Sequence, residues 1–333
     1  MIENLKIFTA HIVFWFGYYW FKIFSFTPKY SFLSLRKLFY TSNSQFNRNL
    51  SASIAKSNPP YESLKGPGVL GNLSPADMKA IGEKIDKNGF YVFEKSLDEE
   101  TIGKIMNYSF SVKADLMPKV AGLPERDYFK RSDPKTIKYD YREVDLVQNP
   151  EIQKLMADPT ILGTAQAFLQ TKPILDMVSM WWSTAQGKEA NSEVAQLYHF
   201  DMERIRFIKF FFYLTDVDTA TGPHCYVKGS NNGFPKSVRR DGRIKDAEIQ
   251  SAYRPEDILE IAGKKGTILA VDTSGFHKGK KLEKADRLLL QLEFANSLFG
   301  VKNKYYTING AAPAIQQASK DYPEVYQRYT VNP

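Results

Sequence analysis

The chain has a single cysteine, Cys225, and only four histidines, His11, His199, His224 and His277. One cysteine excludes an intrachain disulfide and any cysteine-rich zinc site, and it points to a reducing compartment, the cytoplasm. Acid is scarce at one end. Residues 1–60 hold seven Lys or Arg and one acid, Glu3, so this stretch carries six of the chain's eight net positive charges. The remainder is close to neutral, and no basic recognition helix or aromatic RNA-binding pattern accompanies the charge, so nucleic acid is not an expected partner. No internal repeat is visible. At 333 residues, with 43% apolar and 25% charged content, the chain can bury a substantial core in one large domain plus an extension.

A long uncharged span is also missing. Ile7 to Phe21 is free of charge, but Lys22 then interrupts, short of the ~20 apolar residues that cross a bilayer. The segment 7–26 has no clear polar face and is rich in Trp, Tyr and Phe, side chains that settle at membrane–water boundaries. Three readings stay open for it: a helix buried on the main domain or in a dimer contact, a peripheral membrane contact, or a spanning or signal-type segment. A cleavable signal is disfavoured by the lack of a strongly basic start and of a small-residue cleavage site. The stretch 41–60, TSNSQFNRNLSASIAKSNPP, is polar, rich in Ser and Asn, and ends in Pro-Pro. It reads as a linker between an aromatic, basic segment (1–40) and a main domain (61–333).

Within that domain, Ser74 and Pro75 signal a helix start and Asn88-Gly89 its stop. FYVF at 90–93 reads as a strand, and a second helix is expected from near Leu97, with DEE in its first turn. Residues 150–170 read as a helix pair broken at Asp158-Pro159. From Ile174 the pattern changes to short aromatic or β-branched runs, ILDMVSMWW, RFIKFFFYL, CYVKG, GTILAV and RLLLQLEF, separated by turn residues. Too few helices intervene for a parallel sheet. The expected fold is mainly β with flanking helices, its antiparallel strands closing into a double-sheet, jelly-roll barrel.

His199-Phe200-Asp201 is an H-x-D triplet, and residues i and i+2 of a strand share a face, so both side chains can reach one ion. His277 follows the strand GTILAV, whose end an antiparallel barrel can bring opposite that pair. Two imidazoles and one carboxylate form the facial set of non-haem Fe(II) oxygenases, with coordination positions left open. Ten residues on, Arg287 opens RLLLQLEF on the same strand face as Leu289, Gln291 and Glu293. A buried guanidinium needs an anion and matches a carboxylate bidentately, as in 2-oxoglutarate. Lys209 and Tyr213 share a face of IKFFFYL and are candidate co-substrate contacts. Trp182, Gln186, Tyr198 and Arg204, with Trp181 and Gln196, are candidate substrate contacts. His224 in GPHCYV reads as a structural turn residue and Cys225 as a small core residue. Two other readings fit the same residues: a zinc hydrolase built on two His and one Asp, and a non-catalytic jelly-roll binding module.

Across most of residues 80–300 the chain resembles the phytanoyl-CoA dioxygenase family of oxygenases. KNGFYVFEKSLDEETI resembles the family's opening element and QNPEIQKLMADPTILGTAQAFL its helical insert. YHFD, FFYLTDVDTATGPHCYVKGSNN, GTILAVDTSGFHKG and RLLLQLEF follow its core in order. The resemblance implies a double-stranded β-helix, with Fe(II), 2-oxoglutarate and O2 as cofactor and co-substrates, and succinate and CO2 as co-products. It matches His199, Asp201 and His277 to the metal ligands and Arg287 to the 2-oxoglutarate arginine. Because Asp201 is present, hydroxylation or a related oxidation is implied rather than halogenation. Lys228 and Asn231 depart from the family's usual Pro and His in a turn, which bears on loop shape. The expected activity is oxidation of an aliphatic C–H on a small-molecule, lipid-like or lipid-linked substrate.

Overall fold

The structure, a computed structural model, describes residues 2–62, 64, 66–187 and 189–333, without the side chains of residues 2 and 3. Three helices come first: α1 (Ile2–Phe24), α2 (Lys29–Thr41) and α3 (Gln45–Ser57). Then α4 (Pro75–Asn88) leads into strand β1 (Phe90–Val92) and α5 (Glu99–Ser111). Short strands β2 (Ala114–Met117), β3 (Arg126–Asp127) and β4 (Lys138–Asp140) precede helices α6 (Glu143–Leu146), α7 (Pro150–Met156) and α8 (Pro159–Leu169). The barrel strands are β5 (Ile174–Ser183), β6 (Phe207–Tyr213), β7 (His224–Val227), β8 (Ile258–Ile261), β9 (Ile268–Val271), β10 (His277–Gly279) and β11 (Arg287–Ala295), with α9 (Asp246–Ala252) between β7 and β8. The chain ends with β12 (Tyr306–Ile308), α10 (Pro313–Asp321) and β13 (Tyr329–Val331).

Local chemistry explains the boundaries. Ser74 and Asp77 form a reciprocal capping box at the start of α4, and Gly89, at φ 89°, closes it in the left-handed conformation. Asp98 caps α5 by accepting from the Thr101 amide, so that helix begins two residues beyond the expected Leu97. Asp158 caps α8 and Pro159 takes its first position, which is why the 150–170 stretch breaks there.

The two barrel sheets are antiparallel, and β12 pairs with β13 in parallel. The larger runs β1-β9-β6-β11-β5-β4-β2-β3 and the smaller β10-β7-β8. This is the double-sheet barrel expected from the spaced aromatic runs. Alternation along three central strands separates core from cavity. Val178, Met180 and Trp182 of β5, Ile208, Phe210 and Phe212 of β6, and Leu288, Leu290, Leu292 and Phe294 of β11 enter the main core beneath the helices. The intervening residues face the smaller sheet.

The polar stretch expected as a linker is helical over Gln45–Ser57, with Asn47, Leu50, Ser51 and Ile54 buried at helical spacing. Two of these are polar because they bond to the body: Asn47 Nδ2 donates to the Ile205 carbonyl at 2.9 Å, and Asn296 Nδ2 donates to Ser51 Oγ at 3.1 Å. Helix α1 buries Ala10, Phe14 and Tyr18 in a cluster with Leu35, Leu38, Leu50, Ile54, Ile205 and Phe299. Gly17 makes the α1–α2 contact close, since a Cβ there would overlap Ser31, whose Oγ donates to the Val13 carbonyl at 2.9 Å. The packed-helix reading thus describes one face of α1, while its opposite face is exposed. Among the described residues no helix is long and apolar enough to cross a membrane.

Candidate active site

His199 and His277 face each other across an antiparallel bridge, each backbone amide donating to the other's carbonyl at 3.0 and 2.9 Å. Two residues along, the Asp201 amide donates to the Thr273 carbonyl at 2.8 Å, which sets Asp201 on the same face. The imidazole centroids are 4.4 Å apart. One ligand atom from each of His199, Asp201 and His277 lies within 4.8 Å of the others. His199 Nε2 is 3.5 Å from Asp201 Oδ1, and His277 Nε2 is 3.4 Å from Asp201 Oδ2.

The donor set fits a divalent first-row metal. His199 Nδ1 bonds to the Leu197 carbonyl at 2.9 Å and His277 Nδ1 to the Gly275 carbonyl at 3.0 Å. A carbonyl only accepts, so each ring carries its proton on Nδ1 and turns an Nε2 lone pair toward Asp201, the orientation metal-binding histidines need. Burial pulls the His277 pKa down, keeping the ring neutral. Burial alone would raise the Asp201 carboxyl, but Lys209 and the two imidazoles overcome it and hold Asp201 well below the usual carboxylate range.

These residues open into a cavity of about 360 Å³, also lined by Met177, Ser179 and Trp181 of β5, Phe211 of β6, Leu289 and Gln291 of β11, and His224. Arg287 is in its wall. Its Nη1 donates to the Gly222 carbonyl, its Nη2 is 3.4 Å from Ser183 Oγ, and its buried Nε has no partner. No carboxylate pairs with it among the described residues, and burial pulls the guanidinium's pKa down.

Lys209 lines the cavity too, but its Nζ donates to Asp201 Oδ2 at 2.7 Å and lies 3.4 Å from Glu293 and 3.6 Å from Glu203. Burial pushes the Glu293 carboxyl well up. The ammonium is therefore engaged with the triad carboxylate rather than free for a co-substrate. Tyr213 lies outside the cavity: its hydroxyl donates to the Ile261 carbonyl at 2.7 Å.

The four expected substrate contacts also lie outside the cavity. Trp182 is on the opposite face of β5, stacked on Phe129 at 4.5 Å with Nε1 bonded to Ser109, and its neighbour Trp181 lines the cavity instead. Gln186 is exposed in the following loop. Tyr198 alternates away from His199 into the cluster around Phe39 and Phe276. Arg204 is a buried structural cation, paired with Asp176 at 2.6 and 2.7 Å and donating to the Leu298 and Val301 carbonyls at 2.8 Å each. Gln196, the other named candidate, bonds the Asn191 amide through its side chain. His224, expected in a turn, begins β7 instead, where it stacks on His277 at 5.4 Å with its buried Nε2 unpartnered. Asn231, where the family pattern has His, is buried and donates to the Asp86 carbonyl at 2.9 Å, so the turn is tied to α4.

The sequence profile of the phytanoyl-CoA dioxygenase family (PhyH) matches residues 85–283, a span holding all three triad residues and ending before Arg287. No curated protein sequence matches the chain. Among solved structures, the α-ketoglutarate-dependent epimerase SnoN of nogalamycin biosynthesis aligns with TM-score 0.50 at 14% identity, over 67% of this chain and 84% of SnoN. EctD from S. alaskensis, solved with bound Fe, aligns at TM-score 0.48 and 16% identity, over 72% of this chain and 86% of its own. HygX from Streptomyces hygroscopicus, solved with nickel, 2-oxoglutarate and hygromycin B, aligns at 0.46 and 14%, over 67% and 88%. At 14% identity the likeness to SnoN is one of fold alone.

Proposed function

The chain belongs to the phytanoyl-CoA dioxygenase family of Fe(II)- and 2-oxoglutarate-dependent oxygenases, and on that premise we propose that His199, Asp201 and His277 hold the iron and Arg287 the co-substrate. The observation that carries this reading is a coincidence in one cavity: two Nε2 lone pairs and a carboxylate converge, and a buried guanidinium lacks an anion. A zinc hydrolase would have no use for the second feature. Iron and 2-oxoglutarate bound there would supply the oxidation of a substrate C–H by dioxygen, with succinate and CO2 as co-products.

The chain's own residues prepare the cavity. The Leu197 and Gly275 carbonyls fix both imidazole tautomers. Lys209 acts as a positioning residue: its bond to Asp201 Oδ2 orients the carboxylate and leaves Oδ1 free to bind. Arg287 would hold a carboxylate of 2-oxoglutarate, and His224, its Nε2 unpartnered and its ring stacked beside His277, would offer a second polar contact within the same wall. Met177, Trp181, Phe211 and Leu289 supply apolar walls that exclude water. Those walls, together with Arg243 in the same lining, suit an amphiphilic substrate with an aliphatic part and an anionic group, while Lys138 is paired with Asp140. The chemistry is hydroxylation of an aliphatic C–H. Succinate formation that needs both Fe(II) and 2-oxoglutarate, and that rises with an acyl substrate, tests this. Turnover independent of 2-oxoglutarate refutes it.

A further inference from the structure

Helix α1 is apolar on two opposite faces. One packs on the body through Phe14 and Tyr18, whose rings meet Phe299 at 5.4 and 5.7 Å. The other carries Leu5, Phe8, Ile12, Phe16, Tyr19 and Ile23, which are 65, 63, 56, 66, 64 and 73% exposed. Their spacing of three or four residues makes one stripe, ~27 Å long at the α-helical rise and about 80° wide at 3.6 residues per turn. Phe26 from the α1–α2 turn and Tyr30 at the start of α2 are also exposed, as is Tyr305, which shares a cavity wall with Phe26. A continuous apolar surface of this extent marks a docking site.

Charge selects the occupant. From Asn4 to Tyr61 the sequence contains no Asp or Glu. On the helical wheel Lys6 and Lys22 flank the stripe on its two sides, and exposed Lys29, Lys302 and Lys304 continue the basic border. None of these five lysines has a carboxylate partner among the described residues. A second copy seated here would bring cation against cation. An anionic surface is complementary, and Trp15 and Trp20, at 39 and 40% exposure on the stripe's edges, suit a headgroup boundary. Among the described residues no helix is long and apolar enough to cross a membrane, and the opposite face of α1 is fixed to the body.

We propose that α1 lies in the plane of an anionic lipid bilayer, its outer stripe inserted at the headgroup–acyl boundary and its lysines on the lipid phosphates. Through α2, the docked helices reach the segment that carries His199 and Asp201. On α2, Phe39 packs on Phe200, between His199 and Asp201, at 5.3 Å, and the Arg36 guanidinium sits 5.5 Å over the same ring. The docked hairpin therefore leans on the candidate metal site, although the docking itself does not depend on what that site binds.

The test is co-sedimentation of the full-length chain with vesicles of phosphatidylcholine containing 30% phosphatidylserine and with phosphatidylcholine alone, run beside sedimentation velocity of the free protein. Strong pelleting with the anionic vesicles and little with the neutral ones is expected. Each neutralised lysine should lower the partition roughly five-fold, so Lys22→Gln/Lys29→Gln should lower it about 25-fold. Phe16→Glu/Ile23→Glu should abolish pelleting while circular dichroism and melting stay unchanged, since both positions are exposed. Failure of the folded full-length chain to bind the anionic vesicles overturns the proposal, as does equal binding to both vesicle types. A concentration-dependent dimer that Phe16→Glu/Ile23→Glu dissociates overturns it in favour of a second copy.

Discussion

Replacing Arg287 with Met separates a co-substrate clamp from a structural salt bridge by the sign of a stability change. In the protein free of 2-oxoglutarate, Arg287 is 5% exposed, has a bare Nε, and faces no carboxylate among the described residues. Its buried charge is a cost to the fold. Arg287→Met keeps most of the side-chain volume and removes that cost, at the loss of the bonds to the Gly222 carbonyl and to Ser183 Oγ. The melting temperature without 2-oxoglutarate should therefore stay level or rise. A structural ion pair would behave in the opposite way, since removing one partner of a buried pair destabilises by roughly 3–5 kcal/mol. Binding shows the other half. Losing a buried charge-assisted pair to a ligand carboxylate costs about 2–5 kcal/mol, or ~30-fold to several thousand-fold in affinity. Wild-type protein at 100 times its dissociation constant for 2-oxoglutarate gains ~2.7 kcal/mol of stability, and the variant should keep no more than about 0.9 kcal/mol of that gain at the same concentration. Anaerobic thermal denaturation with Fe(II), with and without 2-oxoglutarate, reads both effects in one experiment. A variant that is strongly destabilised without 2-oxoglutarate, yet still stabilised by it as the wild type is, refutes the clamp.

Three further outcomes follow from the same contacts. Lys209→Met removes the bond that orients Asp201 and should weaken metal binding about 10- to 100-fold, read by chelator competition with Fe(II) or Co(II); unchanged affinity would leave Lys209 without a positioning role. Arg204→Met breaks a fully buried pair with Asp176 and should cost roughly 3–5 kcal/mol in urea denaturation without changing 2-oxoglutarate affinity; a stable variant with altered substrate affinity would return Arg204 to the substrate site. A chain beginning at Tyr61 loses Phe39 from beneath Phe200 and uncovers Ile205 and Phe299, so it should aggregate or melt well below the full-length protein; a soluble chain of equal stability would make residues 1–60 a separable segment.

Much of the architecture was legible because local signals carried it. Ser74, Pro75 and Gly89 bound α4, Asp158-Pro159 splits the helix pair, and the runs from Ile174 onward become strands of one antiparallel barrel. The H-x-D triplet and His277 were visible as chemistry-bearing residues, and Arg287, Leu289 and Gln291 do share the face that the period of two gives them. What sequence hid is mostly pairing at a distance. Which of Trp181 and Trp182 faces the cavity depends on the register that sets Leu289 opposite Trp181. Arg204 looked like a free cation because its partner Asp176 lies on another strand. Residues 45–57 looked like a linker because the polar residues of the buried face, Asn47 and Ser51, find their partners at Ile205 and Asn296, far along the chain. His224 gave one signal that was available: it stands one residue before Cys225 in an apolar run and so can start a strand.

The most direct test of the site as a whole is anaerobic addition of Fe(II) and 2-oxoglutarate to the purified protein, followed in the visible spectrum. A 2-oxoglutarate chelate of protein-bound iron gives a weak charge-transfer band. The wild type should show it at one iron per chain. His199→Ala, Asp201→Ala and His277→Ala should each lose it while circular dichroism shows them folded, and Arg287→Met should regain it only at much higher 2-oxoglutarate. No band from iron-loaded wild type, or an undiminished band in any of the three triad variants, would contradict the account.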